Sequence, residues 1–414
     1  MSSTRSRGRM RPMGGACRKP AGPKGSKLPE VAVGRRGAER LRDGQVWVFR
    51  GDVEQAPMGL APGFVTVRDG RGRALATALY SPAGPLALRL WGPVGAPTGP
   101  QEVARRVEAA LDLRRRLLPE ADGLRLVHGE ADQLPGLFVD RYGEGLVVQT
   151  AAAAAEALLP DLLACLQASL SPRLVVRRDD GSARDLESLP RIAQVLSGGP
   201  RTEVEYQEGS LRLEADLLRG HKTGAYLDQR DNHLLAGELA RGRCLDLFSC
   251  EGGFGLQLAR RAEHVRCVEQ DQGSLERLRR NAARNALSAG VEAEAANAFD
   301  LLRALHEARA RFDTVVVDPP ALAKRSGPME SALSGYFELN RRALQVCKEG
   351  ALLFTFSCSG RVTSELFLEV LRSAATACRK RVRVLRPLRA GPDHPGLLGL
   401  PEADYLKGLL LSIS

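Results

Sequence analysis

The chain has 414 residues, a net charge of +11, 43% hydrophobic and 26% charged residues. That length exceeds the usual single domain, so two or three domains are expected, and no apolar run approaches the roughly 20 residues that span a bilayer, which argues against membrane insertion. Eight cysteines, at positions 17, 165, 244, 250, 267, 347, 358 and 378, lack the paired short spacings of zinc ligands or a disulfide framework, so no metal site is expected and a reducing cytoplasm suits them.

Residues 1–27 hold eight Arg or Lys and no acid, which leaves +3 for everything after them. Rich in Gly, Pro, Arg and Ser and without apolar periodicity, this segment cannot offset the entropy of ordering and reads as a disordered basic tail. It is either an arm that touches RNA by counterion release or a solubilising extension, including one from a misassigned start. Its glycines and prolines speak against an amphipathic transit helix, and the missing apolar stretch against a secretory signal.

From residue 28 to about 95, short β-like runs at 31–33, 46–49, 64–68, 74–80 and 86–91 are separated by Gly and Pro turns, as in a small barrel. A Gly/Pro linker at 92–100 precedes an expected helix over 101–118, with Val103, Val107, Ala110, Leu111 and Leu117 roughly on one face. Strands are predicted at 124–127, 136–140, 146–150 and 174–176, an Ala/Leu-rich helix at 154–170, and a hairpin pairing 203–207 with 211–215. Residues 96–215 thus read as an α+β middle domain.

From 216 to 414 the pattern turns to alternating strand and helix. Strands are expected at 243–248, 264–269, 291–295, 312–317, 351–356, 382–385 and 406–413, with helices between the first six. The fold class is therefore α/β, a mostly parallel sheet covered on both faces, whose ligands bind at the carboxyl ends of the strands.

Those strand ends carry the chemistry. The first runs Leu245-Asp-Leu-Phe-Ser-Cys-Glu-Gly-Gly-Phe-Gly255, with glycines that let backbone approach a ligand closely. A nicotinamide fingerprint fails, because counting from Gly253 the third glycine position is Leu258. Glu269 ends the second strand, where an acid can accept both hydroxyls of a ribose. The fourth ends Val315-Val-Val-Asp-Pro-Pro320, and two prolines stop a central strand abruptly, holding Asp318 at the sheet edge. The fifth ends Phe354-Thr-Phe-Ser-Cys-Ser-Gly360, with Cys358 just past the strand, where an ionised thiol can attack an electron-poor ring carbon. Taken singly, each has a bland reading: a solvated acid, a Pro-rich turn, a packed thiol. Their order and spacing set them apart.

Together with Gly220-His-Lys-Thr-Gly-Ala-Tyr-Leu-Asp-Gln-Arg-Asp-Asn232, Leu134-Pro-Gly-Leu-Phe-Val-Asp-Arg141, Asp393-His-Pro395 and Tyr405-Leu-Lys-Gly408, these motifs resemble the ribosomal RNA large subunit cytosine-5 methyltransferase family over nearly the whole chain from Leu28. The resemblance implies a PUA-like RNA-binding domain at 28–95, an EEHEE-type middle domain, and a Rossmann-like methyltransferase domain whose last strand is antiparallel. It implies S-adenosyl-L-methionine as cofactor, held by Tyr226, Gln229, Asp246, Phe248, Gly252, Gly253, Glu269, Asn297 and Asp318. Cys358 would be the nucleophile with Asp318 beside it, and Pro319, Pro320, His394 and Lys407 would meet the RNA. The partner expected is ribosomal RNA, with the 23S molecule foremost and no membrane; the resemblance also allows a homodimer. Asn297, or Asp300 after a register shift, stands where the family often has an acid near the adenine. Leu322 and His233 replace a frequent Phe and Arg.

Two other functions compete. Methylation of an exocyclic amine also uses Asp-Pro-Pro turns, but such sites carry an aromatic residue after the second proline, and here it is Ala321. A non-catalytic RNA-binding protein would have no use for the glycine loop, Asp318 and Cys358 together.

Overall fold

The computed structural model describes residues 27–323, 327–400 and 404–414. Nearly all of the basic segment expected to be disordered lies outside the described residues.

The amino-terminal unit is a six-stranded sheet of β1 (Glu30–Val33), β2 (Trp47–Phe49), β3 (Val53–Gln55), β4 (Gly63–Asp69), β5 (Ala74–Tyr80) and β6 (Leu86–Gly92), in the order β2-β6-β5-β4-β1-β3. Helix α1 (Arg35–Arg42) and β3 carry no strong sequence signal and were not expected, and the same holds for the strand at Ile192–Ser197 in the middle domain. Alternate residues of the strands, among them Val31, Val33, Val65, Val67 and Leu88, form its core.

Helix α2 (Pro100–Leu117) begins with proline at its first turn, where a missing N–H costs nothing. It packs on a five-stranded sheet of β7 (Gly123–His128), β8 (Leu137–Tyr142), β9 (Gly145–Thr150), β10 (Leu174–Asp179) and β11 (Ile192–Ser197), in the order β11-β10-β9-β8-β7. Helices α3 (Ala153–Glu156) and α4 (Leu159–Leu170) cross between β9 and β10, the one parallel pair. The hairpin of β12 (Glu203–Glu208) and β13 (Leu211–Asp216) follows.

The carboxy-terminal sheet has seven strands: β14 (Arg243–Leu247), β15 (His264–Glu269), β16 (Val291–Ala295), β17 (Phe312–Val317), β18 (Cys347–Ser357), β19 (Val382–Arg389) and β20 (Lys407–Ile413), in the order β16-β15-β14-β17-β18-β20-β19. The last strand inserts antiparallel between β18 and β19. On β17, Val315 and Val317 face α8 (Ala298–Glu307), α9 (Met329–Val346) and α10 (Ser364–Ala377), whereas Val316 faces α5 (Arg230–Leu239), α6 (Gly253–Ala259) and α7 (Gln272–Arg284). This is why the strands read as continuous apolar runs: both of their faces are buried. No helix among the described residues is long and apolar enough to cross a membrane.

Buried polar contacts knit the three sheets together. Trp47 Nε1 donates to Glu130 at 2.9 Å and Arg89 pairs with Glu187 at 3.0 Å. Arg114, 1% exposed, binds Asp132 at 2.6 Å and donates to the Asp393 carbonyl at 2.9 Å. Tyr142 Oη lies 2.9 Å from Thr223 Oγ1, and Glu214 of β13 pairs with Arg280 and Arg284 of α7, each at 2.9 Å.

Candidate active site

Strands β15, β14, β17 and β18 are parallel neighbours, so their carboxyl ends lie side by side: Leu247 is level with Val268 and Val317, and Val317 with Thr355. The order reverses between β14 and β17, which opens a crevice there. A 240 Å³ cavity occupies it. Of the residues expected to form a site, Tyr226, Gln229, Phe248, Gly253, Glu269, Asp318, Pro319, Pro320 and Cys358 line this one cavity.

The loop after β14 is folded tightly. Phe248 (φ 65°), Cys250 (φ 45°) and Gly252 (φ 97°) are all left-handed, a conformation costing a non-glycine residue about 1–3 kcal/mol. Ser249 holds it: its Oγ donates to the Asp246 carbonyl at 2.7 Å and accepts from Val268 N at 2.8 Å. Glu269 holds it from the other side, accepting from Cys250 N at 3.1 Å, Gln270 N at 2.7 Å and Asp271 N at 3.1 Å. A carboxylate has about four acceptor sites, so Glu269 retains about one for a ligand hydroxyl rather than a full pair.

The glycines act differently from the sequence expectation. A Cβ on Gly253 would stand 2.4 Å from the His233 ring, and one on Gly255 2.3 Å from Cys267 Sγ. They let α6 pack against α5 and β15 rather than leaving open space for a ligand. Gly252 serves the turn and does not line the cavity. Asp246 is fully buried beneath the loop and also stays outside the cavity wall, with both carboxylate oxygens unpartnered; burial pushes its pKa up to about 7, although the His233 charge pulls it back. Asn297 caps α8, accepting from Phe299 N at 2.9 Å and Asp300 N at 3.3 Å, and both Asn297 and Asp300 are exposed. Neither lines the cavity, because the end of β16 lies one strand beyond Glu269 at the sheet edge.

Asp318 Oδ2 accepts from Gln229 Nε2 at 2.9 Å, and Gln229 is itself fixed by Asn232 at 2.6 Å. Burial pushes the Asp318 carboxyl up to about 6, against the Gln229 hydrogen bond. Cys358 Sγ sits 3.7 Å from the Pro319 carbonyl. Burial and then the Asp318 charge push its thiol up to about 11, and Lys222 works the other way. Buried Lys407 donates to the carbonyls of Ser359 at 2.8 Å and Val362 at 2.6 Å, so it shapes the turn after Cys358 and is spent there instead of facing the cavity.

His394 falls elsewhere. It lines a second, larger cavity of 450 Å³ between the three sheets, edge-on to His128 with ring centroids 5.4 Å apart. Lys222 and Asp228 line both cavities and were missed, although the quoted 220–232 stretch contains them. Asp228 Oδ2 accepts from Lys222 Nζ at 2.6 Å and Tyr405 Oη at 2.5 Å. Only contact between distant segments could single these two out. Among the described residues, no group of His, Cys, Asp or Glu is placed to hold a metal.

Comparison with known proteins agrees with this layout. Residues 31–92 match the model of the PUA-like domain, and 232–351 the model described as conserved hypothetical protein 95. The chain is 34% identical over 370 residues to ribosomal RNA large subunit methyltransferase I of Erwinia tasmaniensis, covering 87% of this chain and 93% of that one. It is 35% identical to the protein of the same name from Pseudoalteromonas translucida, covering 84% and 90%. Among solved structures, a protein described as a putative methyltransferase, complexed with SAH, superposes with a TM-score of 0.81 at 17% identity, over 93% of this chain and all of the other. A protein from Streptococcus mutans described as a putative SAM-dependent methyltransferase gives 0.79 at 18% identity, over the same 93% and 100%. The carboxy-terminal unit has the Rossmann-like methyltransferase fold.

Proposed function

The chain belongs to the ribosomal RNA large subunit methyltransferase I family, and from that membership and the geometry of the strand ends we propose that it makes 5-methylcytosine in ribosomal RNA, 23S foremost, through a covalent Cys358 adduct. It is an S-adenosylmethionine-dependent enzyme. The observation that carries the proposal is that Cys358, Asp318 and the Pro-Pro turn share one cavity with Tyr226, Phe248 and Glu269. A nucleophile, a base-facing acid and a ribose acceptor are thereby within one ligand's reach of each other. The donor set fits the cofactor: Glu269 has an acceptor site left for a ribose hydroxyl, and the Phe248 and Tyr226 rings supply apolar wall. Asp318 and Gln229 complete that pocket; Gly252 and Asp246 act behind it, shaping the loop, and Gly253 lines it while making room for His233.

When bound, S-adenosylmethionine supplies an electrophilic methyl carbon and a positive sulfonium. Carbon 5 of cytosine is a poor nucleophile until a thiolate adds to carbon 6. Cys358 forms that carbon–sulfur bond, and the displaced π electrons make carbon 5 enamine-like while negative charge builds toward ring nitrogen 3. Asp318, its carboxyl pushed up to about 6 by burial, is ionised in the free protein and can take up a proton and share it with that nitrogen as the charge builds. Carbon 5 would then take the methyl carbon as its bond to the sulfonium sulfur breaks, and loss of the carbon 5 proton to a base returns the bonding pair to the ring and expels the Cys358 sulfur as thiolate. Burial keeps Cys358 protonated in the free protein, and positive charge nearby, from Lys222 or a bound cation, favours its ionised form. The target base must leave its stack to reach this cavity, and the amino-terminal sheet and basic tail supply backbone affinity.

RNA carrying 5-fluorocytosine at the target tests the reading, since fluorine cannot leave as a proton and elimination is blocked. A covalent complex should form with the wild type and with Cys250→Ala or Cys347→Ala, and should vanish with Cys358→Ala while cofactor binding persists. A Cys358→Ala protein that still makes 5-methylcytosine at a normal rate would sink the covalent mechanism and put amine methylation first.

A further inference from the structure

We propose that the larger cavity is a pocket for a second unstacked nucleobase, the one adjoining the target in the RNA chain. This rests on the reading of the protein as an RNA base methyltransferase.

The cavity measures 450 Å³, within the roughly 300–1,000 Å³ of small-molecule sites. Its walls come from all three units: Trp47 from the first sheet, Phe138 and His128 from the second, and His394 and Tyr405 from the connection between β19 and β20 of the third. Planar rings on several sides suit a planar ligand. Lys222, Ala225 and Asp228 line this cavity and the Cys358 cavity alike, so the two compartments are separated by one layer of side chains. Successive nucleotides of an unstacked strand can straddle such a partition.

The polar groups favour a base over a phosphate. Both cations of the lining are already committed: Arg125 is bidentate to Asp140 at 2.7 and 2.8 Å, and Lys222 binds Asp228 at 2.6 Å. Trp47 Nε1 is taken by Glu130 at 2.9 Å and Thr223 Oγ1 donates to Asp140 at 2.7 Å. The walls are therefore preorganised. What remains unsatisfied in the walls is complementary to a base edge. Asp228 is 2% exposed, yet its Oδ1 has no partner, leaving an acceptor for a ring or amino N–H. Arg125 can only donate, and it lies 3.3 Å from His128 Nδ1, so the proton of the neutral imidazole stands on Nε2 as a donor. Burial and the Arg125 charge hold that ring neutral, its pKa lowered to about 3.

A physical need accompanies the pocket. Extruding a target base unstacks its neighbour too, and capturing that neighbour on aromatic walls offsets part of the cost while reading its identity.

The test uses the full-length protein and an RNA oligonucleotide centred on whichever nucleotide it methylates, with an abasic ribose placed at each neighbour in turn. With the wild type, one of the two abasic RNAs should bind on the order of tenfold more weakly than the parent. With Phe138→Ala the parent RNA should already be weakened to that degree, and the same abasic change should then have no further effect. Unchanged S-adenosylmethionine affinity shows that the variant is folded; should Phe138→Ala lose it, Trp47→Leu on the opposite wall provides the same double comparison. Abasic neighbours that bind like the parent, or a penalty of equal size in wild type and variant, would overturn the pocket. If the 5-fluorocytosine adduct fails while the coupling holds, the chemistry assigned to Cys358 is wrong and the pocket stands. An adduct without coupling leaves the reverse.

Discussion

Replacing Asp318 with Asn should make Cys358 more reactive while making the enzyme worse. Asparagine keeps the shape, and its carbonyl can still accept the 2.9 Å hydrogen bond from Gln229, but it removes the negative charge that, after burial, does most to keep the thiol protonated. With a thiol pKa near 11, only about 0.1% is thiolate at about pH 8, so each unit by which the pKa falls brings about tenfold more of it. Intrinsic nucleophilicity falls as pKa falls, by about threefold per unit, which leaves a net gain of about threefold in reactivity per unit. The assay is the rate of iodoacetamide modification at Cys358, followed by peptide mass across neutral to alkaline pH in the free protein. The variant's profile should lie at lower pH than the wild type's, and saturating cofactor, with its positive sulfonium, should move the wild-type profile the same way. Methyl transfer by the variant should nonetheless drop by about a hundredfold, because an amide can donate a hydrogen bond to ring nitrogen 3 but cannot hand it a proton as the carboxyl does. Slower alkylation in the variant would refute this reasoning, because it would mean that Asp318 assists thiol ionisation as a base instead of opposing it as a charge.

Glu269→Gln should weaken S-adenosylmethionine binding by about 1.5–3 kcal/mol, the worth of a hydrogen bond to a charged group, as read by isothermal titration. Glu269→Ala should cost more, since the amides of Cys250, Gln270 and Asp271 lose their acceptor as well; equal effects would mean that the carboxylate supports the loop alone. Arg114→Met, which strips the partner from buried Asp132 and from the Asp393 carbonyl, should cost about 3–5 kcal/mol in urea unfolding. A loss under about 1 kcal/mol, the scale of an exposed ion pair, would show that this junction is wet.

Much of the architecture was legible in the residues. Val315-Val-Val-Asp-Pro-Pro320 reads as a buried strand that must stop, because proline cannot continue a ladder and a strand covered on both faces is apolar throughout. The same local logic placed Cys358 and Glu269 at strand ends, since strand direction alone puts such residues at one edge. Local pattern could not say what a glycine is for. Gly253 looks like clearance for a ligand, and besides lining the cavity it is clearance for His233, a residue twenty positions earlier in the chain. Nor could it show that Asn297 spends its carbonyl on capping α8 or Lys407 its ammonium on the Ser359 turn.

By itself, then, the sequence determined the order of strands and helices apart from α1, β3 and β11, the carboxyl-edge position of the chemistry and the resemblance that names it, because periodicity, turn residues and strand direction are properties of neighbouring residues. Tertiary structure decided which of those residues share a cavity, which are consumed as struts, and that a second compartment exists between the three sheets. Those outcomes depend on contacts such as Lys222–Asp228–Tyr405 and Arg114–Asp393, whose partners lie up to 279 positions apart and meet only when the sheets pack.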